Sequence, residues 1–460
     1  MNRAGVLVTA ALATVLVTAS CTGGGALRAA GSRPSASVDR PAANPAASVG
    51  SPIPQPRLPA GVSVALDTER VDLTYPRFSD PTHVTNPLFP VSRQRSVLFV
   101  GHVDGLPFRT EVTLLPYTRV VVWGGQRIET LVSQYTAYLD GRLQEVAYDL
   151  YAQADDDSVW YFGEDVADLE NGAIVTKEGT WLSGKDGPAQ MIMPGDPTVG
   201  DVYRAENIPG IAFEQVTVKA TDRRLRAPMG PIANGMVGQE LHMDGTTEYK
   251  LFARGYGEFY TGSGGDVEAL ALAVPTDSVE GAVPEALTAM LDATSRLVVL
   301  PGRQLPGATA VVRALDAART RLPDSSVPRL LGPRLDRALA GLRSAVRAGD
   351  DRRTREAAVQ VARWCLDLEL RYRPVVEIDM ARFGLWAQQL LIDADRRDTA
   401  AVRGDAFSLF YLRDRVIGSV SPQVRNTVNT AIGSIQESVV DQDLRAAADA
   451  ATTLRTVAER

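Results

Sequence analysis

Three observations predict a segregated α+β chain, in which an antiparallel β-sheet or partial barrel precedes an all-α bundle of helical hairpins. Between Val62 and Pro275, runs of β-branched and aromatic residues recur about every ten to fifteen residues, with turn residues between them. No strand–helix alternation is visible there, which argues against a parallel sheet. From Gly281 onward the apolar period becomes helical, and Leu331, Leu335, Leu339, Leu342 and Val346 form the first long stripe.

The chain opens with Met1-Asn2-Arg3, a short segment with one positive charge, followed by a stretch from Val6 to Val17 that is apolar apart from small hydroxyls. Val17-Thr18-Ala19-Ser20-Cys21 then leads small residues into a cysteine. This is the arrangement of a secretory signal. It also resembles a bacterial lipoprotein signal, which implies that residues 1–20 are cleaved and that Cys21 is acylated, with palmitate-type chains anchoring the protein. The apolar run is shorter than the roughly 20 residues that a membrane-spanning helix needs. Residues 21–60 read as a tether rich in Gly, Ala, Ser and Pro. Such a segment buries too little apolar surface to offset its ordering entropy. A flexible coil of about 38 residues reaches roughly 35 Å, enough to hold a folded body off a membrane.

Residues 61–276 read as the β domain. The expected strands are 96–103, 109–115, 119–123, 128–139, 143–153, 159–163 and 173–181, then 213–220, 240–243, 246–253, 257–261 and 267–273. Asp140-Gly141 reads as a hairpin turn. An antiparallel meander, curled or closed, is the economical arrangement.

Residues 282–460 read as the helical bundle. Two shorter helices are expected at 284–298 and 308–322. Further stripes are Val361, Cys365, Leu368 and Tyr372; Val376, Met380, Phe383 and Leu390; Val402, Ala406, Leu409, Leu412 and Val416; and two more after Ser421-Pro422. That dipeptide reads as an N-cap followed by Pro in the first helical position. Acidic turns at 348–351, 395–398 and 440–443 separate the stripes at a mid-forties spacing. This fits three stacked αα-hairpins, as a bundle or short solenoid, or an irregular bundle with convergent capping.

In the β-region, Asn86-Pro87-Leu88-Phe89-Pro90 precedes the first long strand. Tyr148-Asp149-Leu150-Tyr151-Ala152-Gln153 and Val159-Trp160-Tyr161-Phe162-Gly163-Glu164 lie at the centre. With Glu170-Asn171-Gly172, Glu178-Gly179-Thr180-Trp181, Met193-Pro194 and Val199-Gly200-Asp201-Val202-Tyr203, these resemble a family of uncharacterised secreted bacterial proteins over roughly residues 80–275. Leu88 stands where an aromatic is usual, and 223–238 departs from the pattern. The resemblance implies an extracytoplasmic β-domain and transfers no catalytic residue.

The net charge of −7 and pI near 5.3 argue against a nucleic-acid partner. Only four Lys occur, and from Arg303 to Arg460 there are 25 Arg against 20 acidic residues. An acidic first half and a slightly basic second half suggest two bodies. With Cys21 acylated, Cys365 has no intrachain partner and reads as a buried thiol in a helical stripe. Asp155-Asp156-Asp157 lacks the spacing and the Gly of a calcium loop and reads as a solvated turn. His83, His102 and His242 share no ligand spacing, so a zinc site would need a fold-dependent meeting with carboxylates. No metal and no cofactor are expected.

Two candidate binding faces remain. On the strand at 159–163, alternation puts Tyr161 on one side and Trp160 with Phe162 on the other. One side is core; the other lines a groove for a lipid, glycan or peptide, or packs against the helical half or a neighbouring loop. In the helical half, Asp379, Arg382, Trp386, Gln389 and Asp393 follow i, i+3, i+7, i+10, i+14, while Arg363, Asp367 and Arg371 follow i, i+4, i+8 on the preceding helix. Pro374 separates the two helices. If the faces meet, they form an Arg/Asp network around a Trp that suits an anion or polar ligand; otherwise they are solvated, salt-bridged faces. The function expected is that of a membrane-anchored extracytoplasmic lipoprotein acting as a non-enzymatic binding or interaction module of the cell envelope. Its partners would be the membrane, through the lipid, and an envelope protein, glycan or lipid. The alternatives are a hydrolase-type envelope enzyme with its site between the two halves, or a scaffold whose helices dock a protein.

Overall fold

The strands form as alternating residues find two different covers, one helical and one made by the sheet itself. The computed structural model describes residues 58–298 and 307–459. The expected signal segment, Cys21 and nearly all of the expected tether lie outside the described residues. The strands are β1 (Ser96–Val103), β2 (Leu106–Trp123), β3 (Gln126–Leu139), β4 (Arg142–Gln153), β5 (Val159–Glu170), β6 (Ala173–Thr176) and β7 (Trp181–Leu182). They continue as β8 (Gln190–Met193), β9 (Val202–Ile208), β10 (Ala212–Ala227), β11 (Gly230–His242), β12 (Thr247–Ala253), β13 (Gly257–Ser263) and β14 (Asp266–Val274). All belong to one antiparallel sheet in the order β6-β5-β4-β3-β2-β1-β14-β13-β12-β11-β10-β9, with β7 and β8 paired to β5. The sheet curls without closing into a barrel.

The departures from the expected strands have local causes. The runs at 109–115 and 119–123 are one strand, β2, whose register against β3 shifts between Leu114 and Thr118. Pro116 lies in that gap and has no N–H for the ladder. β8 and β9 are buried at every position, so neither shows the alternation by which strands are recognised. The irregular 223–238 stretch belongs to the β10–β11 hairpin, whose register shifts between Ala220 and Arg223 and again before Leu225. Asp140 and Gly141 both have positive φ, as the two-residue turn between β3 and β4 requires.

The helices are α1 (Glu285–Val298), α2 (Ala308–Arg321), α3 (Gly332–Ala348), α4 (Asp351–Glu369), α5 (Val375–Asp395), α6 (Thr399–Val416), α7 (Pro422–Val440) and α8 (Leu444–Ala458). The Asp350, Asp398 and Asp443 carboxylates accept hydrogen bonds from the first free amides of α4, α6 and α8, and Ser421 does the same for α7. Those caps set the three hairpins α3/α4, α5/α6 and α7/α8; α5 also packs on α8, and α1 on α4.

The helices cover one face of the sheet. Leu98, Val100, Leu272 and Val274 share a core with Leu287, Leu335, Leu366 and Ile378. Tyr138, Val146 and Leu169 share another with Trp386, Leu409 and Leu454. The β5–β6 turn locks this packing: Gly172 has φ +71°, and a Cβ there would lie 2.2 Å from the Ala400 carbonyl oxygen of α6. The other face turns inward, so that Ser133, Tyr135 and Asp149 meet Glu240, Lys250 and Phe252 around a small cavity.

The motif residues are structural. Asn86 is buried and donates from Nδ2 to the carbonyls of Asp157 (3.0 Å) and Pro194 (2.9 Å), while its own Oδ1 accepts from Leu88 N (2.9 Å). Gln153 Oε1 accepts from the amides of Thr85 and Asn86. The Asn-Pro segment is thereby stapled to the β4–β5 turn and to the residue after β8. The Asp155–Asp157 triplet lies in that turn, where Asp155 accepts from Ser79 N and Oγ.

Candidate functional site

On β2, alternation sends Arg109 and Glu111 to the helix face, opposite Tyr138 and Thr136 of β3. Helix spacing brings Asp367 of α4, Asp379 and Arg382 of α5, and Arg415 of α6 onto them. Arg382 Nη2 donates to Asp367 Oδ1 (2.6 Å), and its Nη1 donates to Asp379 Oδ1 (3.0 Å). Arg109 Nη2 donates to Asp367 at 2.8 and 3.1 Å and reaches Glu111 through Nη1. Arg415 donates to Glu111 and, at 2.9 Å, to Thr136 Oγ1. Three guanidiniums thus face three carboxylates. Burial alone would raise the Glu111 carboxyl, but the charges of Arg109, Arg382 and Arg415 outweigh it and hold it well below the usual carboxylate range. Burial likewise opposes the Arg382 charge, and Glu111, Asp367 and Asp379 together raise its pKa further.

The expected meeting of the α4 and α5 faces therefore occurs for Asp367, Asp379 and Arg382, with Arg363 and Trp386 beside them. The Arg363 guanidinium lies 4.0 Å from the Trp386 ring centre, and Trp386 stacks on Tyr138 at 5.5 Å. Arg371 is a correction. Its Nε donates to the Asp277 carbonyl (3.0 Å) and its Nη1 to the Ser326 carbonyl, so it ties the start of the helical half together and is not in the network. The reason is that α4 ends at Glu369, and the i+4 spacing from Asp367 does not run past the helix end. Asp393 sits in a second group, accepting from Arg142 (2.8 Å), Gln389 (3.0 Å) and Arg396 (3.2 Å). Glu111, Arg109 and Arg415 were not singled out in the sequence. The one available signal for the β2 pair was two charges two residues apart, on one face of an expected strand.

Trp160 and Tyr161 are a second correction: neither lines a groove. Both are fully enclosed, because each side of β5 has a cover. Phe78 packs edge-on against Trp160 and Phe162 from the segment before β1, so the neighbouring-loop alternative holds. On the inner side Tyr161 stacks on Tyr151, meets Trp181 edge-on, and donates to Asp149 Oδ1 (2.8 Å).

Beside the balanced network opens a cleft of about 550 Å³ between the strand ends and α3, α4 and α5. Its cationic walls are Arg334 and Arg337 of α3 and Arg363 of α4; Phe108, Trp364 and Trp386 supply aromatic surface. Among the described residues no carboxylate lies within ion-pair distance of those three arginines, and Arg363 Nη2 is buried without a hydrogen-bond partner. Burial, together with the nearby positive charge of Arg109, pushes Arg363 down to about 10; burial and Arg337 do the same to Arg334. Both would gain from an incoming anion.

One group of three among the described residues could hold a metal: Glu240, His242 and Glu248, on the inner face of the sheet. Fold and site together define a curled-sheet protein with a helical cover and a basic, aromatic cleft at their junction. No family model matches the chain, and no curated protein matches it. Among the described residues no helix is long and apolar enough to cross a membrane.

Proposed function

We propose that this chain is a membrane-anchored extracytoplasmic lipoprotein whose folded body binds an anionic envelope ligand, a phosphate- or carboxylate-bearing glycan or lipid headgroup, in the basic cleft. The observation that carries this is the surplus of positive charge there: Arg334, Arg337 and Arg363 lack carboxylate partners while every nearby carboxylate of the network is already engaged. Guanidinium forks suit phosphate and carboxylate groups, and Trp364 and Trp386 offer flat surface to a ring or a chain. The hydrolase alternative has less support. Of the carboxylates that line the cleft with Asp140, Glu111 and Asp367 are paired to guanidiniums, and a carboxyl held as acidic as Glu111 is a poor general acid near neutrality.

Titrating the full chain with inorganic phosphate and with glucuronate, followed by tryptophan fluorescence, tests the binding. Saturable binding is expected, and Arg363→Ala should weaken it at least about tenfold, or roughly 1.4 kcal/mol. Arg397→Ala, at an exposed inter-helix turn, should leave it unchanged. Binding that is equal in wild type and Arg363→Ala, or no binding of either probe, would remove the proposal.

The anchor has its own test. Cys21→Ser should leave the chain unacylated and move it from the membrane fraction to the soluble extracytoplasmic fraction. Retention on the membrane would mean that something other than a lipid on Cys21 attaches it.

A further inference from the structure

The inner face of the sheet carries a group of charged residues that the basic cleft does not use. Antiparallel register places Glu214 of β10 opposite His242 of β11, and Glu240 of β11 opposite Glu248 of β12. Lys250 stands one inward position further along β12, with Nζ 2.7 Å from Glu240 and 3.9 Å from Glu248. We propose that Glu240, His242 and Glu248 bind a first-row divalent cation, with Glu214 orienting the imidazole from behind.

The spacing is the first argument. His242 Nε2 lies 3.5 Å from Glu248 Oε1, and ligand atoms from all three residues fall within 4.8 Å of one another. Hydrogen-bonded N and O atoms stand about 2.7–3.2 Å apart. Two donors at about 2.0–2.1 Å from one tetrahedral zinc stand about 3.4 Å apart. The His–Glu separation, that of an ion pair, also fits two ligands of one ion.

Glu214 is the independent observation. It is 1% exposed, and neither of its carboxylate oxygens has a hydrogen-bond partner. Its Oε1 lies 3.6 Å from His242 Nδ1, the ring nitrogen that faces away from Glu248. A metal-bound histidine commonly donates its second N–H to a carboxylate, and a small ring shift on coordination would complete that bond. Imidazole with carboxylates suits zinc and its first-row neighbours better than calcium or magnesium. His242 is partly exposed at the β11–β12 end of the sheet, which gives the ion a way in.

The test uses the full chain, stripped with a chelator and titrated with Zn²⁺ alone at pH 7.5. One ion per chain and a raised melting temperature are expected, and Co²⁺ in its place should give visible d–d absorption. His242→Ala and Glu248→Gln should each weaken Zn²⁺ binding at least about tenfold with unchanged circular dichroism. Glu248→Gln keeps the side-chain volume and answers the question alone should His242→Ala fold poorly. Asp156→Asn, in the acidic surface turn, should leave binding unchanged. Absence of Zn²⁺ binding, or binding that survives loss of His242 or Glu248, overturns the proposal.

Discussion

Arg382→Ala in the full chain should lower the unfolding free energy by about 3–5 kcal/mol, measured by denaturant titration. The guanidinium is buried and serves Asp367 and Asp379 at 2.6 and 3.0 Å, with Glu111 at 3.8 Å. Asp367 and Asp379 are themselves enclosed, at 0% and 1% exposure, so water cannot replace the lost partner. Arg109 and Arg415 remain near, but each already serves Glu111, and the variant leaves three carboxylates facing two cations. Arg397→Ala is the comparison. Arg397 is exposed at the α5–α6 turn, and its removal should cost under about 1 kcal/mol. Equal, small losses in the two variants would mean that the network is solvated and contributes nothing to the junction. Because Glu111 and Arg109 come from β2, the measurement belongs in the whole chain and not in the helices alone.

Raising the pH from about 5 to 9 should destabilise the folded chain, on the order of several kcal/mol. The inner face of the sheet buries carboxyls that keep their protons. Burial pushes Asp149 up to about 7, and burial with the nearby Glu258 pushes Glu268 up to about 8. Glu145 is raised well above the usual range by burial and by Asp168, and burial with Glu206 raises Glu164. In the unfolded chain all of these ionise near pH 4. Between pH 4 and 8 the folded chain therefore holds more protons than the unfolded one, and unfolding free energy falls as pH rises. This contribution is complete below about pH 4 and is lost as pH passes through about 7 for Asp149 and 8 for Glu268. Each pH unit inside the window is worth about 1.4 kcal/mol per group. Asp149→Asn should flatten the slope between pH 5 and 7, since the amide keeps an acceptor for the Tyr161 hydroxyl without a charge to bury. Stability that rises between pH 5 and 9 in chelated protein would contradict this account.

Local periodicity determined the order of elements. The β1 run and the Asp140-Gly141 turn, the Asp and Ser caps, and the change of period before α1 were all legible, because each depends on residues within a few positions of one another. Half of the candidate site was legible for the same reason: Asp379, Arg382 and Trp386 share a helix face by spacing alone. Arg371 was misplaced because the end of α4 interrupts that spacing. Trp160 and Tyr161 line no groove because Trp160 is covered by Phe78, far earlier in the chain, and Tyr161 by Tyr151 and Trp181 of other strands. Only the tertiary structure decided that Arg109, Glu111 and Arg415 complete the network, since contacts from β2 to α4 and α6 cross more than two hundred residues and leave no local pattern. The same holds on the inner face, where strand register sets Glu214, His242 and Glu248 side by side although nothing in their spacing along the chain marks them as neighbours.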